Sequence, residues 1–346
     1  MLKNVIIAVL STMIVVSGLW MWYLSADDEQ HTISLSTLNF TAPQVKEKSP
    51  VKIMSIELPE VLAFADHEVP LSLFYVRESL ERELVINTYW HSSTLMLLKR
   101  ANRWFPVIDP ILKEYGVPDD FRFLCMIESN LTNARSPAGA VGFWQFLEGT
   151  AKDFGLEVNK DVDERYHVEK STHAACRYLL KSYARFQNWA LVAASYNAGQ
   201  KRIAGFIEKQ KASSYFDLHM AEETDRYLHR ILAMKLIFSS PETYGFYPEV
   251  ERLYPPLEYE LVKVSADVKD LADFAAKHGI SYKLLKYFNP WLRSEKLNVK
   301  RGHEYEVKIP KGDFALTHRS VEDSMLLRIV ELDGDSLEDG PSPENH

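Results

Sequence analysis

Apolar residues recur at spacings of three and four between about Leu71 and Ser240, with few alternating β-branched runs. This pattern predicts amphipathic helices. One helix is predicted through 74–86. A second runs from 95 to 115 and ends at Gly116, with Pro118 behind it as a residue that cannot continue the helix. Further helices are predicted at 120–129, 147–155, 168–187, 189–196, 200–210 and 223–238. The middle of the chain is therefore predicted to be an all-α domain.

The pattern changes after Gly245. A tyrosine and three prolines mark a linker at 246–256. Apolar and charged residues then alternate through 257–264, as they do in a strand that is buried on one face. Two short helices, predicted at 267–278 and 281–288, and a second strand at 304–309 complete a small β-α-α-β unit. We expect a chain ending near Gly245 to fold and to retain any chemistry of the helical domain.

The length of 346 residues suggests about two domains at roughly 100–200 residues each. With 46% hydrophobic and 25% charged residues the chain is neither disordered nor a multi-span membrane protein. A formal charge of −8 without a basic block argues against a nucleic-acid partner. The two cysteines, Cys125 and Cys176, are too few for a disulfide framework, and the histidines show no metal-binding spacing. We predict neither a metal nor a cofactor.

The N-terminus carries a run of 20 residues without a charge, Val5–Leu24. At about 1.5 Å per residue this run spans the ~30 Å hydrocarbon core of a bilayer. Lys3 precedes it and three acidic residues follow it, which places the rest of the chain outside the cytoplasm. A cleaved signal peptide is the alternative, although its apolar core would be shorter and the cleavage site here is poor. We predict an uncleaved anchor.

Glu128 is the first residue with a chemical signature. It ends the predicted helix 120–129, for which Asp119 or Asp120 is a candidate N-cap, and the helix is apolar on all sides. A carboxyl group carried by such a helix is desolvated, which raises its pKa and suits it to general acid catalysis near neutral pH. The alternative is an exposed helix end, with the carboxylate paired to an arginine such as Arg122 or Arg135.

Four ordered segments around Glu128 carry a family resemblance. They are Glu128-Ser129, then Ser136, Gly139, Ala140, Gly142 and Gln145, then Tyr196-Asn197-Ala198-Gly199, and last Glu223, Thr224 and Tyr227. Over roughly residues 80–245 the chain resembles the lytic transglycosylases that have a soluble-lytic-transglycosylase-type, goose-lysozyme-like catalytic domain. Two departures are Phe143-Trp144 in place of Leu-Met, which we expect to alter the groove floor, and Ser195 in place of Ala.

The resemblance implies cleavage of the β-1,4 bond between N-acetylmuramic acid and N-acetylglucosamine in peptidoglycan glycan strands, with formation of a 1,6-anhydro ring. It implies that Glu128 acts as the general acid and then as the base. The implied substrate-binding residues are Ser129, Ser136, Gly142, Gln145, Tyr196, Asn197 and Tyr227. We expect the glycines to let the backbone approach the saccharide closely.

Two other functions remain open. A lysozyme-type hydrolase on the same fold would need a second carboxylate. Asp119, Asp120, Glu148 and Asp153 are the nearest acids, and no motif singles one of them out. A catalytically idle scaffold that binds the cell wall is the third possibility, and the intact set around Glu128 argues against it.

The C-terminal unit resembles a LysM module, a fold that binds glycans containing N-acetylglucosamine, but Ser265–Val268 replace the usual Gly-Asp-Thr. The predicted fold class is mainly α: a lysozyme-like all-α catalytic domain, a small β-α-α-β LysM-like module and an N-terminal transmembrane helix. The predicted divisions are an anchor at 1–26, a tether at 27–70, the catalytic domain at 71–245, a linker at 246–256, the LysM-like module at 257–311 and an acidic tail at 312–346. We therefore predict that the protein is located at a membrane, with its catalytic domain in the periplasm or cell envelope.

Overall fold

The computed structural model describes residues 55–65 and 67–312. The predicted membrane segment 5–24, most of the predicted tether and the acidic tail lie outside these residues. Within the two described ranges, no helix combines the length and the apolar run needed to span a bilayer.

The described chain is mainly helical and carries two small antiparallel sheets. The helices of the body are α1 (Phe74–Tyr89), α2 (His91–Glu114), α3 (Phe121–Ser129), α4 (Glu148–Asp153), α5 (Val168–Phe186), α6 (Trp189–Ala198), α7 (Gln200–Gln210) and α8 (Glu222–Ser239). A short hairpin, β1 (Ala63–Phe64) and β2 (His67–Glu68), precedes them. The C-terminal unit contains β3 (Tyr259–Val264), α9 (Leu271–Lys277), α10 (Tyr282–Phe288) and β4 (Tyr305–Pro310). The predicted elements are confirmed to within a few residues at their ends.

Helix α8 lies at the centre of the body, where it packs against α1, α3 and α6. Its apolar residues Leu228, Ile231 and Leu232 are completely buried. Burying a side chain of this size stabilises a fold by roughly 1.5–3 kcal/mol, so the packing fixes the helix firmly. Because α3 and α8 touch along this core, side chains from the end of α3 and from the first turns of α8 can meet at the surface of the body.

The start of α3 differs from the prediction. Asp120 occupies the N-cap position, but its side chain makes no capping bond. Its Oδ2 instead accepts hydrogen bonds from the backbone N–H of Ala65, at 2.7 Å, and from Lys235 Nζ, at 2.8 Å. A buried carboxylate needs a charged partner more than a helix end needs a cap. Asp120 therefore joins the hairpin β1–β2, α3 and α8.

The C-terminal unit folds as the alternating pattern predicts. Strands β3 and β4 pair antiparallel from Tyr259↔Pro310 to Val264↔Tyr305. Asp270 and Ser281 cap α9 and α10 with their side-chain oxygens. Both helices pack with the sheet around a small apolar core.

This core is shared with the helical body. Val141, Val162 and Tyr166, which precede α5 in the chain, belong to the same buried cluster as the core residues of the C-terminal unit. The backbone N–H of Asp163 donates to the carbonyl of Trp291 at 2.9 Å. Body and C-terminal unit thus form one compact unit. The predicted boundaries at 245 and 257 stay predictions, but the packing changes what we expect of a shortened chain.

Candidate active site

Glu128 lies in the last turn of α3 and is partly exposed. Its Oε1 accepts a hydrogen bond from the hydroxyl of Tyr227 on α8. Desolvation by burial raises the pKa of Glu128 to about 7, against the lowering effects of the Tyr227 hydrogen bond and of the Arg230 charge, while Glu223 adds to the rise. Near neutral pH the carboxyl group is therefore present in both its protonated and its ionised form.

Tyr227 is almost fully buried. Burial and the adjacent Glu128 charge raise the pKa of Tyr227 well above its ordinary value, so the phenol keeps its proton. The residues at 223, 227 and 230 are spaced by four and three and share one face of α8. That face brings a carboxylate, a phenol and a guanidinium toward Glu128.

Asn197 is positioned by the start of α8. Its Nδ2 donates to Glu223 Oε1 at 3.1 Å, and its Oδ1 accepts from the hydroxyl of Thr224 at 2.9 Å. Both ends of the amide therefore have protein partners. The bond also orients the Glu223 carboxylate, which is exposed on the surface.

Tyr196 lies deeper. Its hydroxyl donates to the carbonyl oxygen of Trp144 at 2.7 Å, and its ring contacts Phe146 and Tyr178 edge-on. Burial raises the pKa of Tyr196 well above its ordinary value, and the neighbouring Glu128 charge adds to that rise. Tyr196 is therefore a packed neighbour of Glu128 that supports the loop around Trp144.

Two further predictions on this loop are wrong. Trp144 is not part of a groove floor: its side chain is fully buried, and its Nε1 donates to Thr172 Oγ1 at 2.8 Å. Gly142 does not provide an approach for a saccharide, because a Cβ atom there would lie 1.9 Å from the carbonyl oxygen of Arg165. The close approach that requires this glycine is between two segments of the same chain.

Gln145 and Ser136 hold the loop in shape. Nε2 of Gln145 donates to the carbonyls of Ala134, at 3.1 Å, and Gly142, at 2.8 Å. The hydroxyl oxygen of Ser136 accepts from the backbone N–H of Ala140 at 3.0 Å. The side-chain carbonyl of Gln145 is the part of this amide that these bonds leave available to a ligand.

Ser129 is directed away from such a role. Its side chain is buried, and its hydroxyl donates to the carbonyl of Cys125 in its own helix at 3.3 Å. The structure therefore brings Glu128, Tyr227 and Tyr196 together and connects Asn197 to them through Glu223. Gln145 and Ser136 shape the adjoining loop.

Two residues of this region, Arg230 and Arg165, were missed in the sequence, and Glu223 was named in a motif without a role. Glu223 and Arg230 act on the pKa of Glu128, and the spacing of α8 was the signal that could have revealed both. Arg165 donates to the carbonyls of Gly139 and Phe146, each at 3.2 Å, and pairs with Asp163 at 2.8 Å. It fixes the loop that carries Gln145, and no local pattern indicates it.

Three of the four other acids that the sequence offered have partners elsewhere. Asp119 pairs with Arg122 at 2.9 Å, Asp120 with Lys235, and Glu148 with Lys152 at 2.6 Å. None of them acts on the pKa of Glu128, whereas Glu223 does. Of the arginines considered as partners for Glu128, Arg122 binds Asp109 and Asp119 instead, and the hydrogen bond to Glu128 comes from Tyr227.

No group of three or more histidine, cysteine, aspartate or glutamate side chains is arranged to hold a metal ion within residues 55–65 and 67–312. Cys125 and Cys176 are both buried free thiols. Burial raises the pKa of Cys176 to about 12 and that of Cys125 well above its ordinary value, so neither is a ready nucleophile.

Part of the helical body matches a known family model. Residues 107–218 match the family model of the transglycosylase SLT domain, a range that includes Glu128, Gln145, Tyr196 and Asn197 and ends before Tyr227. This part of the chain is similar to that family. Residues 260–313 match the soluble lytic transglycosylase C-terminal LysM-like domain. The first of these matches lies in the helical body and the second covers the C-terminal unit.

The chain is also similar to two curated proteins and to one solved structure. The chain is similar to the membrane-bound lytic murein transglycosylase D of Escherichia coli strain K12, and equally to that of E. coli O6:H1 strain CFT073. Each is 28% identical over 242 residues, which is 68% of this chain and 52% of the relative. The chain thus spans about half the length of the curated relatives it matches. The lytic transglycosylase Slt of Pseudomonas aeruginosa, solved as an inactive mutant, is similar with a TM-score of 0.35 and 19% identity over 44% of this chain and 26% of that one.

Proposed function

We propose that this protein is a peptidoglycan lytic transglycosylase with Glu128 as its general acid and base. The observation that carries the proposal is the state of this carboxyl group. Burial raises the pKa of Glu128 to about 7, and the Tyr227 hydroxyl is bonded to its Oε1. The SLT domain supports the reaction class.

In the first step the protonated Glu128 donates its proton to the glycosidic oxygen as the bond from that oxygen to C1 of N-acetylmuramic acid breaks. In the second step the Glu128 carboxylate takes the proton of the C6 hydroxyl, and O6 forms the new bond to C1 of the same sugar. The proton given up is recovered, and no water is consumed. One carboxyl group can serve both steps, a contribution typically worth 10²–10⁴-fold in rate.

The neighbours of Glu128 suit both steps. Burial stabilises the neutral acid before the first step. The Tyr227 hydrogen bond stabilises the carboxylate that the first step leaves behind. A pKa of about 7 results from the balance between these opposing effects. The side-chain carbonyl of Gln145 is assigned to the glycan, Asn197 positions Glu223 beside it, and Tyr227 positions Glu128.

A lysozyme-type hydrolase is the second candidate, and Glu223 is the observation that favours it. This carboxylate is exposed, lies near enough to raise the pKa of Glu128, and is oriented by Asn197. In a hydrolase it would direct a water molecule to C1. A catalytically idle scaffold is disfavoured because nothing about its role needs an acid with a raised pKa.

Mass analysis of the products from purified sacculi separates these candidates. A transglycosylase yields disaccharide peptides that are one water lighter than hydrolysis products and resist borohydride. Hydrated, reducible muramic ends would assign hydrolysis, with Glu223→Gln as the variant that abolishes it. If the wild-type protein releases no more muropeptide than a Glu128→Gln preparation does, the protein is a catalytically idle scaffold.

We also propose that residues 5–24 anchor the protein in a membrane with the SLT domain in the periplasm or cell envelope. The uncharged run and its flanking charges support this, and two relatives are named membrane-bound. N-terminal sequencing of protein purified from membranes tests it. A mature chain that begins near Asp27 would contradict the anchor.

A further inference from the structure

A small pocket lies at the surface of α8, close to Glu128. Its volume is about 280 Å³, and it is lined by Glu222, Glu223, Arg226 and Arg230. No apolar side chain takes part among the described lining residues. Glu223 and Arg230 are also close enough to Glu128 for their charges to act on its carboxyl group. The pocket is therefore adjacent to the candidate acid, and its described lining is entirely charged.

Two of the four side chains are already neutralised by ion pairs. Nε of Arg226 lies 2.6 Å from the buried carboxylate of Glu83 on α1, and its Nη1 lies 3.4 Å from Glu222 Oε1. Glu222 also pairs with Arg82 of α1 at 3.0 Å. These contacts join α1 to the first turns of α8. A ligand in the pocket would have to break them to bind Glu222 or Arg226.

Glu223 and Arg230 keep groups that no other residue uses. Oε1 of Glu223 accepts from Asn197 at 3.1 Å, whereas its Oε2 has no hydrogen-bond or ion-pair partner in the described part of the chain. The guanidinium of Arg230 makes no hydrogen bond and no ion pair with those residues either. Side chains on a helix lean toward its N-terminus, which carries Arg230 back toward the pocket that it shares with Glu223. One acceptor and one set of donors therefore face the same space.

The free groups of this pair match an amide. A carboxylate only accepts hydrogen bonds, and a guanidinium only donates them. An amide supplies an N–H to Glu223 and a carbonyl oxygen to Arg230. A free carboxylate in the same place would bind only Arg230, and the adjacent Glu223 would repel it. The lining carries two carboxylates and two guanidinium groups, so it has no net charge that would favour an anion.

A peptidoglycan strand offers two kinds of amide near the bond that Glu128 cleaves in the proposed reaction. The acetamido group on C2 ends in a methyl, for which a charged lining provides no apolar contact. The lactyl arm on C3 of N-acetylmuramic acid ends in an amide to the stem peptide, and the polar peptide beyond it continues into solvent. We propose that Glu223 and Arg230 together recognise this lactyl amide and thereby select strands that bear stem peptides over strands that do not. The choice of polymer rests on the proposed function.

Binding to uncleaved strands tests this selection. The protein is the full chain carrying Glu128→Gln. The probes are labelled soluble glycan strands with stem peptides, and the same strands after an amidase has left free lactyl carboxylates. Fluorescence anisotropy should show at least about tenfold tighter binding of the peptide-bearing strands. Adding Glu223→Gln keeps the oxygen that Asn197 binds and replaces the other oxygen with an N–H donor, which suits a carboxylate. The preference should then vanish or invert.

Variants of Arg230 supply the second measurement. Arg230→Met should weaken binding of both strands several-fold, because the amide carbonyl and the free carboxylate both need this donor, and Arg230→Lys should restore part of the loss. Arg185→Met is the matched control, since it removes an exposed arginine in the last turn of α5 that does not line the pocket, and it should change neither affinity.

Three results overturn the proposal: equal affinity of the Glu128→Gln chain for the two strands, unchanged binding in Arg230→Met, or an equal loss for both strands in Glu223→Gln. The last result is what recognition of an acetamido group, or a purely structural role of Glu223, would produce. Failure of the proposed reaction is a separate outcome. Wild-type products without anhydro ends would refute that reaction, whichever strand the inactive chain prefers.

Discussion

The hydroxyl of Tyr227 on α8 donates a hydrogen bond to Oε1 of Glu128 at the end of α3, although 99 positions separate the two residues. The bond forms because α3 and α8 pack on a common apolar core. The bond joins an acid and a phenol. Burial raises the pKa of the acid and keeps the phenol protonated. Variants of Glu128 and Tyr227 therefore test the chemistry of the site most directly.

Glu128→Gln keeps the shape of the side chain and removes its proton. We expect sacculus cleavage to fall by at least about 10⁴-fold, since one group supplies both the acid and the base. Asn197→Ala should cost less, because Asn197 positions groups and transfers no proton. Muropeptide release by purified protein measures both, with circular dichroism as the folding control. Residual cleavage above 1% in Glu128→Gln would mean that another group supplies the proton.

The same substitution should change stability in a pH-dependent way. Burial raises the pKa of Glu128 from 4.5 to about 7, so the folded state holds the proton more tightly than the unfolded state. The stabilisation from that proton is complete below about pH 4.5 and is lost as the pH rises through 7. Relative to wild type, Glu128→Gln should therefore gain stability between these values, by no more than about 3 kcal/mol and by less because the side chain is partly exposed. Urea unfolding at pH 4.5 and pH 8 measures this. If the two proteins differ in unfolding free energy by the same amount at pH 4.5 and pH 8, the pKa of Glu128 is not raised.

Tyr227→Phe should move the pH dependence of the reaction. The first step needs protonated Glu128, so kcat/KM for wild type should fall about tenfold per pH unit above about pH 7. The Tyr227 hydrogen bond lowers the pKa of Glu128, and its loss should shift this decline to higher pH while the maximum rate falls. Cleavage of soluble strands between pH 5 and 9 tests the shift. A decline at the same pH in both proteins would show that Glu128 is not the group that titrates.

How much can be predicted from the sequence alone differs from residue to residue. The helices and strands follow from apolar spacing and caps, and the motifs around Glu128 and Tyr227 identify the pair before any geometry is known. Trp144 and Gly142 could not be assigned correctly, because their neighbours Thr172 and Arg165 come from distant segments. The same is true of Asp120, whose partner Lys235 is 115 positions away. A local pattern reports which element a residue belongs to and leaves open what that element packs against.

Gly142→Ala and Gly139→Ala form a matched pair on one loop. Both glycines have positive φ, +80° and +84°, so both substitutions strain the backbone by about 1 kcal/mol. Only at Gly142 would the new Cβ overlap a backbone atom, Arg165 O at 1.9 Å, whereas the space at Gly139 is open. Gly142→Ala should therefore displace the loop that carries Gln145, with several kcal/mol lost in urea unfolding and little activity left. Gly139→Ala should lose about 1 kcal/mol and stay active. Equal losses of stability and activity in the two variants would show that the close approach of Arg165 O is not what requires a glycine at position 142.

Ending the chain near Gly245 should abolish cleavage, contrary to what the sequence alone suggested. The C-terminal unit covers Val141, Val162 and Tyr166, each fully or nearly buried. Burial of a side chain of this kind is worth roughly 1.5–3 kcal/mol, so their exposure removes much of the stability of a typical domain. The truncation also removes Trp291, whose carbonyl binds the N–H of Asp163.

Asp163 in turn pairs with Arg165, which fixes the loop of Gln145. The shortened chain should therefore melt at a lower temperature and lose activity on soluble strands that need no attachment to the wall. A chain that ends at Gly312 keeps every described residue and serves as the control. If the chain ending at Gly245 cleaves soluble strands as fast as this control, the C-terminal unit is dispensable for the loop. Its role would then be confined to binding.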